Sequence, residues 1–177
     1  MRRMQAQGFT LTELMVVIAI IAILLTIGLP SFRETLQRNG VATLTNEVIG
    51  SLSLARSEAI RTSRGGGICA SSDGATCGGG WDSGWLVWAN QGAVNGTLDS
   101  GDLLIRRIDP HPAMVVAATS TASGAAVTII VFDARGRVLT PSTVSLQPAS
   151  CRTGRELVRT LTVNAAGQVK TARSNCA

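Results

Sequence analysis

From Phe9 to Leu29 the chain carries an apolar run, and the one charge inside it, Glu13, stands near its head. A run of about twenty such residues is long enough to cross the hydrocarbon of a bilayer as a helix. A carboxylate within it costs roughly 2.5 to 3.5 kcal/mol on insertion scales, so an acid in this position calls for a partner or a task. Beyond the run remain roughly 130 to 150 residues, enough for one domain with its own core and too few to require a second. Arg2 and Arg3 precede the run. Basic residues at that end hold the leader in the cytoplasm and send the remainder outward.

An ordinary secretory signal places its cleavage site after the apolar region. Here Gly8-Phe9-Thr10-Leu11-Thr12-Glu13 lies before it, followed by MVVIAIIAILLTIGLPSF. This arrangement resembles the processing site of class III signal peptides, those of type IV pilins and type II secretion pseudopilins. The resemblance implies that a prepilin peptidase cuts after Gly8 and methylates the new terminus at Phe9. It also implies that Glu13 pairs with the terminal amine of Phe9 in a neighbouring subunit during assembly. The domain boundaries that follow are a leader over 1–8, a transmembrane and assembly segment over 9–30, and a globular domain over 31–177.

Four cysteines in an exported chain read as two disulfides. Three pairings are open, and local spacing favours Cys69 with Cys77 and Cys151 with Cys176. Zinc is disfavoured because structural sites use tight pairs, whereas seven residues separate even Cys69 from Cys77. The formal net charge is +5. It is uneven: after Ser150 come Arg152, Arg155, Arg159, Lys170 and Arg173 against the single acid Glu156.

Pro30 follows the apolar run, and a proline there predicts a kink. Helical spacing nevertheless resumes at Leu36, Val41, Leu44, Val48, Leu52, Ala55 and Ala59, with polar residues between, so one long helix is expected from about Phe9 to about Thr62. Gly65-Gly66-Gly67 is expected to end it. Strands are then expected at 67–71, 85–88, 103–108 and 127–132, with a short one at 137–139 across Asp133-Ala134-Arg135-Gly136. A last hairpin joins 157–163 to 168–171 through Asn164-Ala165-Ala166-Gly167. The alternation and turn chemistry indicate antiparallel pairing, and a long helix packed on such sheets makes an α+β domain.

The later segments narrow the resemblance to the GspH/FimT family of pilin-like proteins. They are Ala55-Arg56-Ser57-Glu58-Ala59-Ile60, the stretch from Cys69 to Cys77, Trp81 with Gly84-Trp85, Asp99-Ser100-Gly101-Asp102, and Phe132-Asp133-Ala134-Arg135-Gly136. The family implies the type IV pilin-like fold and the role of a minor pilin that helps initiate or cap a type IV pilus. Its implied partners are other minor and major pilins, the prepilin peptidase and the inner membrane, with the domain in the periplasm before assembly into the pilus. A type II secretion pseudopilin is the alternative within the same fold. A DNA-binding receptor at the pilus tip is the alternative of another class. DNA-binding relatives carry G-R-x-R on the last hairpin, where this chain reads Gly167-Gln168-Val169-Lys170. A phosphate-binding patch would therefore draw on Arg155, Arg159, Lys170 and Arg173.

No enzyme is indicated, and no cofactor or metal. His111, between Pro110 and Pro112, reads as a surface-loop residue with no nucleophile beside it. The glycine triplets at 65–67 and 78–80 lack the lysine of a phosphate loop and read as linkers or turns. Trp81, Trp85 and Trp88 could offer a stacking platform, but 85 and 88 fall on opposite faces of a strand, and core packing is the better account. Asp99 and Asp102 read as a turn, since the remaining oxygen ligands of a calcium loop are missing.

Overall fold

A computed structural model describes residues 9–92 and 96–177; Gly8 and the rest of the expected leader lie outside the described residues. The chain divides into two compact units, residues 1–38 and 39–177. The helix α1 (Leu11–Thr62) contributes to both.

In the first unit α1 is exposed. Leu14 through Leu25 are open to solvent, and the helix is long and apolar enough to cross a membrane with none of its most apolar stretch buried within the chain. Helical geometry continues past Pro30, where the sequence predicts a kink. One missing backbone donor is tolerated when the turns on either side keep their bonds. Leu36, expected on the buried face, is also exposed.

In the second unit the same helix is one-faced. Val41, Leu44, Val48, Leu52, Ala55 and Ala59 are all buried, at steps of three and four that align them on one side. All of these except Val41 share a core cluster with residues of two four-stranded antiparallel sheets. The first sheet contains β1 (Gly66–Ala70), β2 (Trp85–Ala89), β3 (Leu103–Ile108) and β5 (Ile129–Phe132), in the order β3-β2-β1-β5. The second contains β4 (Met114–Ser120), β6 (Ser142–Pro148), β7 (Val158–Val163) and β8 (Val169–Ser174), in the order β4-β6-β7-β8.

Some expectations need correction. Gly66 and Gly67 are not a linker: they open β1 at the middle of its sheet, where a Cβ would meet backbone carbonyls of β2 and β5. The strand expected at 127–132 begins only at Ile129, because Val127 donates its N–H to Ala118 and Ala126 bridges Thr119, so this stretch pairs with β4 instead. Residues 137–139 make one isolated bridge, Val138 to Phe132, and no strand. Strands β4 and β6 escape the sequence reading altogether. Their apolar alternation is diluted by alanine, serine and threonine, yet Ser142, Val144 and Leu146 all face inward.

Candidate functional site

The head of α1 is built by Thr10. Its hydroxyl accepts the N–H of Glu13 at 3.3 Å, and its carbonyl accepts the N–H of Leu14 at 3.2 Å. Thr10-Leu11-Thr12-Glu13 thus has the spacing of a capping box. Glu13 lies in the first helical turn, where the helix dipole favours a carboxylate. The motif is legible in the sequence as T-x-x-E. Phe9 is 82% exposed, and no described residue covers it or the apolar side chains after it. The arrangement offers an acid at the mouth of an uncovered apolar helix.

A second site lies where α1 meets the turns of the sheets. The Arg56 guanidinium donates from Nε to the Gly136 carbonyl and from an Nη to the Ala166 carbonyl, both at 3.0 Å. These acceptors belong to twin turns. Asp133 and Asn164 open them, each accepting from the glycine three residues on, and Gly136 and Gly167 close them at φ of 73°. A Cβ at Gly167 would run into the Gly136 carbonyl, and one at Gly136 into Ile60. The matching patterns Asp-Ala-Arg-Gly and Asn-Ala-Ala-Gly signal the pair, but only the fold brings both to Arg56. Burial pushes the Asp133 carboxyl up, yet the N–H and guanidinium of Arg137 and the N–H of Arg135 outweigh it and hold the group below its ordinary value. Beside Arg56 a shallow groove of about 450 Å³ opens between α1 and the start of β8, walled by Ile49, Leu52, Ile60 and Val169.

The basic hairpin β7–β8 divides its charge between two faces. Arg159 stands directly opposite Arg173, whereas Lys170 stands opposite Thr162. Side chains alternate across a strand, so Lys170 is on the other face from the arginine pair. Arg155 is drawn to the end of the hairpin by the tail, since its carbonyl accepts the Cys176 N–H at 2.8 Å. The structure therefore brings Arg155, Arg159 and Arg173 to one end of the sheet, with Lys170 on the reverse side near the turn.

The cysteines are joined as Cys69 to Cys77 and Cys151 to Cys176. Inside the first loop the Asp73 carboxylate accepts from the Thr76 hydroxyl and from the N–H groups of Thr76 and Ala75, which hold it well below the usual carboxylate range. Asp102 accepts from the N–H groups of Asp99 and Gln91, as a turn. Among the described residues no group of three or more His, Cys, Asp and Glu side chains is placed to hold a metal.

The tryptophans are packing groups: all three are buried. Trp85 donates to the Ser51 hydroxyl on α1 and Trp81 to the Val127 carbonyl, while Trp88 packs on the opposite face with Leu98, Ile129 and Val131. His111 is not a free surface residue. It stacks on Trp85 with ring centres 6.0 Å apart and reaches Glu47 of α1 at 3.1 Å. The sequence offered no sign of this, because the contact joins residues far apart in the chain.

Comparison with known proteins adds independent findings. The family model for the type II transport protein GspH matches residues 44–167. A second model, the prokaryotic N-terminal methylation motif, matches residues 3–29. No curated protein matches the sequence significantly. Among solved structures, the type IV minor pilin FimU of Pseudomonas aeruginosa is similar at 24% identity and a TM-score of 0.54, over 76% of this chain and 90% of that one. The minor pseudopilin EpsH of the Vibrio cholerae type II secretion system is similar at 14% identity and a TM-score of 0.54, over 79% of this chain and 99% of that one. At these identities the likeness speaks for the fold.

Proposed function

The chain belongs to the GspH family of minor pilins and pseudopilins, and from that premise we propose that it is a minor pilin helping to initiate or cap a type IV pilus. In this reading the prepilin peptidase removes residues 1–8 after Gly8 and methylates Phe9. Residues 9–30 hold the subunit in the inner membrane with the 31–177 domain in the periplasm. The exposed first half of α1 then enters the filament, where other pilins cover it. The role is structural. The observation that carries it is the uncovered apolar helix with Glu13 in its first turn: within hydrocarbon the carboxylate needs a counter-charge, and the amine of a neighbour's Phe9 supplies one.

Mass spectrometry of the chain from its native membrane tests the first step. A methylated Phe9 terminus is expected where prepilin peptidase is active, and an intact Met1 terminus there contradicts the reading. The pseudopilin alternative shares every one of these steps. Deletion separates the two, since loss of piliation supports the pilin and loss of protein secretion the pseudopilin.

DNA reception at the pilus tip is a second reading, favoured by the convergence of Arg155, Arg159 and Arg173 at one end of the last sheet. Lys170 on the reverse face and Gln168 in place of an arginine count against a single continuous phosphate track.

A further inference from the structure

The groove beside Arg56 mixes two chemistries. Leu52, Ile60 and Val169 give it apolar walls, while Ser53, Arg56 and Gln168 line it with polar groups, around a space of about 450 Å³. Arg56 is the one charged side chain of the lining. Its two hydrogen bonds end on the neutral carbonyls of Gly136 and Ala166, which take up donors and leave the charge uncompensated. The acids close to it in the fold are engaged elsewhere: Glu58, two positions along α1, pairs with Arg61, and Asp133, at the head of the first turn, pairs with Arg137. Among the described residues no carboxylate pairs with Arg56. A half-buried guanidinium in this state gains from an anion that brings its own hydrogen-bond acceptors.

Spacing along the helix defines what fits there. Leu52, Arg56 and Ile60 stand four residues apart on α1, so they follow one another at about 6 Å along its axis. In an extended chain, side chains two residues apart share a face and repeat at roughly 7 Å. A segment with an apolar, an acidic and an apolar residue at alternate positions therefore points all three toward the groove, the acid over Arg56 and the apolar groups over Leu52 and Ile60. Its intervening side chains face solvent. The groove is shallow, so a small molecule in it keeps much of its surface in water, unlike a ligand in an enclosing pocket. Duplex DNA binds through several cations, and this lining offers one among apolar walls.

We propose that the Arg56 groove is a docking site for an extended segment of a neighbouring pilin-like subunit, one that sets a single acid between two aliphatic residues at alternate positions. The carboxylate meets the Arg56 guanidinium, with Ser53 beside it, and the aliphatic groups cover Leu52 and Ile60. Arg56 then joins the twin turns to a neighbour through the same side chain. The inference rests on the reading of the chain as a filament subunit, but its test does not require a filament.

The test is a titration of the full chain in detergent, followed by amide chemical shifts, with the peptide Leu-Ser-Glu-Ser-Leu capped at both ends as the probe. The same peptide with glutamine in place of glutamate, and butyrate, serve as comparisons. The glutamate peptide should shift the amides of residues 49–60 and 167–169, and the glutamine peptide should bind about tenfold more weakly. Ser53→Asp places a carboxylate one helical turn from Arg56 and should weaken the glutamate peptide by a similar factor, whereas Ser53→Ala should keep most of its binding. Ser53 is exposed, and unchanged shifts in the core show that each variant is folded. Equal binding of the two peptides, binding unaltered by Ser53→Asp, no shifts at the groove, or butyrate binding as tightly as the glutamate peptide overturns the proposal. Failure of Phe9 processing would instead count against the filament reading and leave this result standing.

Discussion

The two halves of α1 are one helix with opposite demands. The described side chains of residues 11–38 are mostly exposed, while Val41, Leu44, Leu52, Ala55 and Ala59 in the second half are 0–1% exposed. The second half is held by its own chain. Its apolar face closes the core of two sheets, Trp85 reaches Ser51, His111 reaches Glu47, and Arg56 holds the twin turns. The described apolar side chains of the first half, Leu11 through Leu25, are instead exposed, and in the proposed reading they meet surroundings outside the subunit: lipid first, then other subunits. On that reading a continuous helix divides its work, folding with one end and assembling with the other.

The largest test of that division compares Leu52→Ala with Leu24→Ala. The first removes a fully buried side chain and should destabilise the domain by roughly 2 to 5 kcal/mol in chemical denaturation. The second should leave the domain's unfolding midpoint unchanged while reducing incorporation into filaments. Comparable losses of fold stability from both would erase the distinction between the halves.

Next in size is the tail disulfide. Replacing Cys151 and Cys176 by serine opens a loop with a sequence separation of 25 and should lower domain stability by roughly 2 to 4 kcal/mol on the chain-entropy account. Non-reducing peptide mapping of the parent protein should first recover Cys151 with Cys176 and Cys69 with Cys77. The effect should be confined to the unit of residues 39–177, with membrane extraction of the chain unaltered.

Arg56→Ala sharpens the comparison within the second half. It leaves the Gly136 and Ala166 carbonyls without their guanidinium donor, and a loss of about 1 to 3 kcal/mol is expected, as for hydrogen bonds to a charged group. Arg38, in the first half, pairs among the described residues with Glu34 one turn away at the surface. Arg38→Ala should cost no more than about 0.5 kcal/mol, and an equal effect of the two would undo the argument.

The smallest effect is with acid. Asp133 is held below its ordinary value by Arg137 and Arg135, so the folded state favours its charged form. The stability this contributes is fully present above the unfolded value near 3.8 and is lost as pH falls through the lower folded value. Thermal melts below about pH 4 should therefore show a shallower acid decline in Asp133→Asn than in the parent.

Much of this was legible in the sequence, for reasons that differ by region. The apolar run, the acid at its head and the buried heptad-like positions from Val41 to Ala59 declare themselves because a helix repeats its face locally. The hairpin from 158 to 174 declares itself through alternation around an Asn-to-Gly turn. Strands β4 and β6 did not, because Ser142, Ala117 and Ala118 satisfy a sheet by position and carry little apolar signal. The Arg56 clamp and the His111–Glu47 contact join residues separated by more than sixty positions, so only the fold reveals them. The split of the basic tail was within reach: Lys170 and Arg173 differ by an odd number of residues, which places them on opposite faces of any strand.

The central claim is that the first half of α1 serves assembly and not folding, and Glu13→Ala measures it most directly. Thermal unfolding of the purified full chain and incorporation of the same variant into filaments should be recorded side by side. The account predicts an unfolding midpoint equal to that of the parent, since Glu13 lies outside the 39–177 unit, together with a marked loss of incorporation. A variant that enters filaments as readily as the parent, or one whose domain unfolds at a lower temperature, would contradict it.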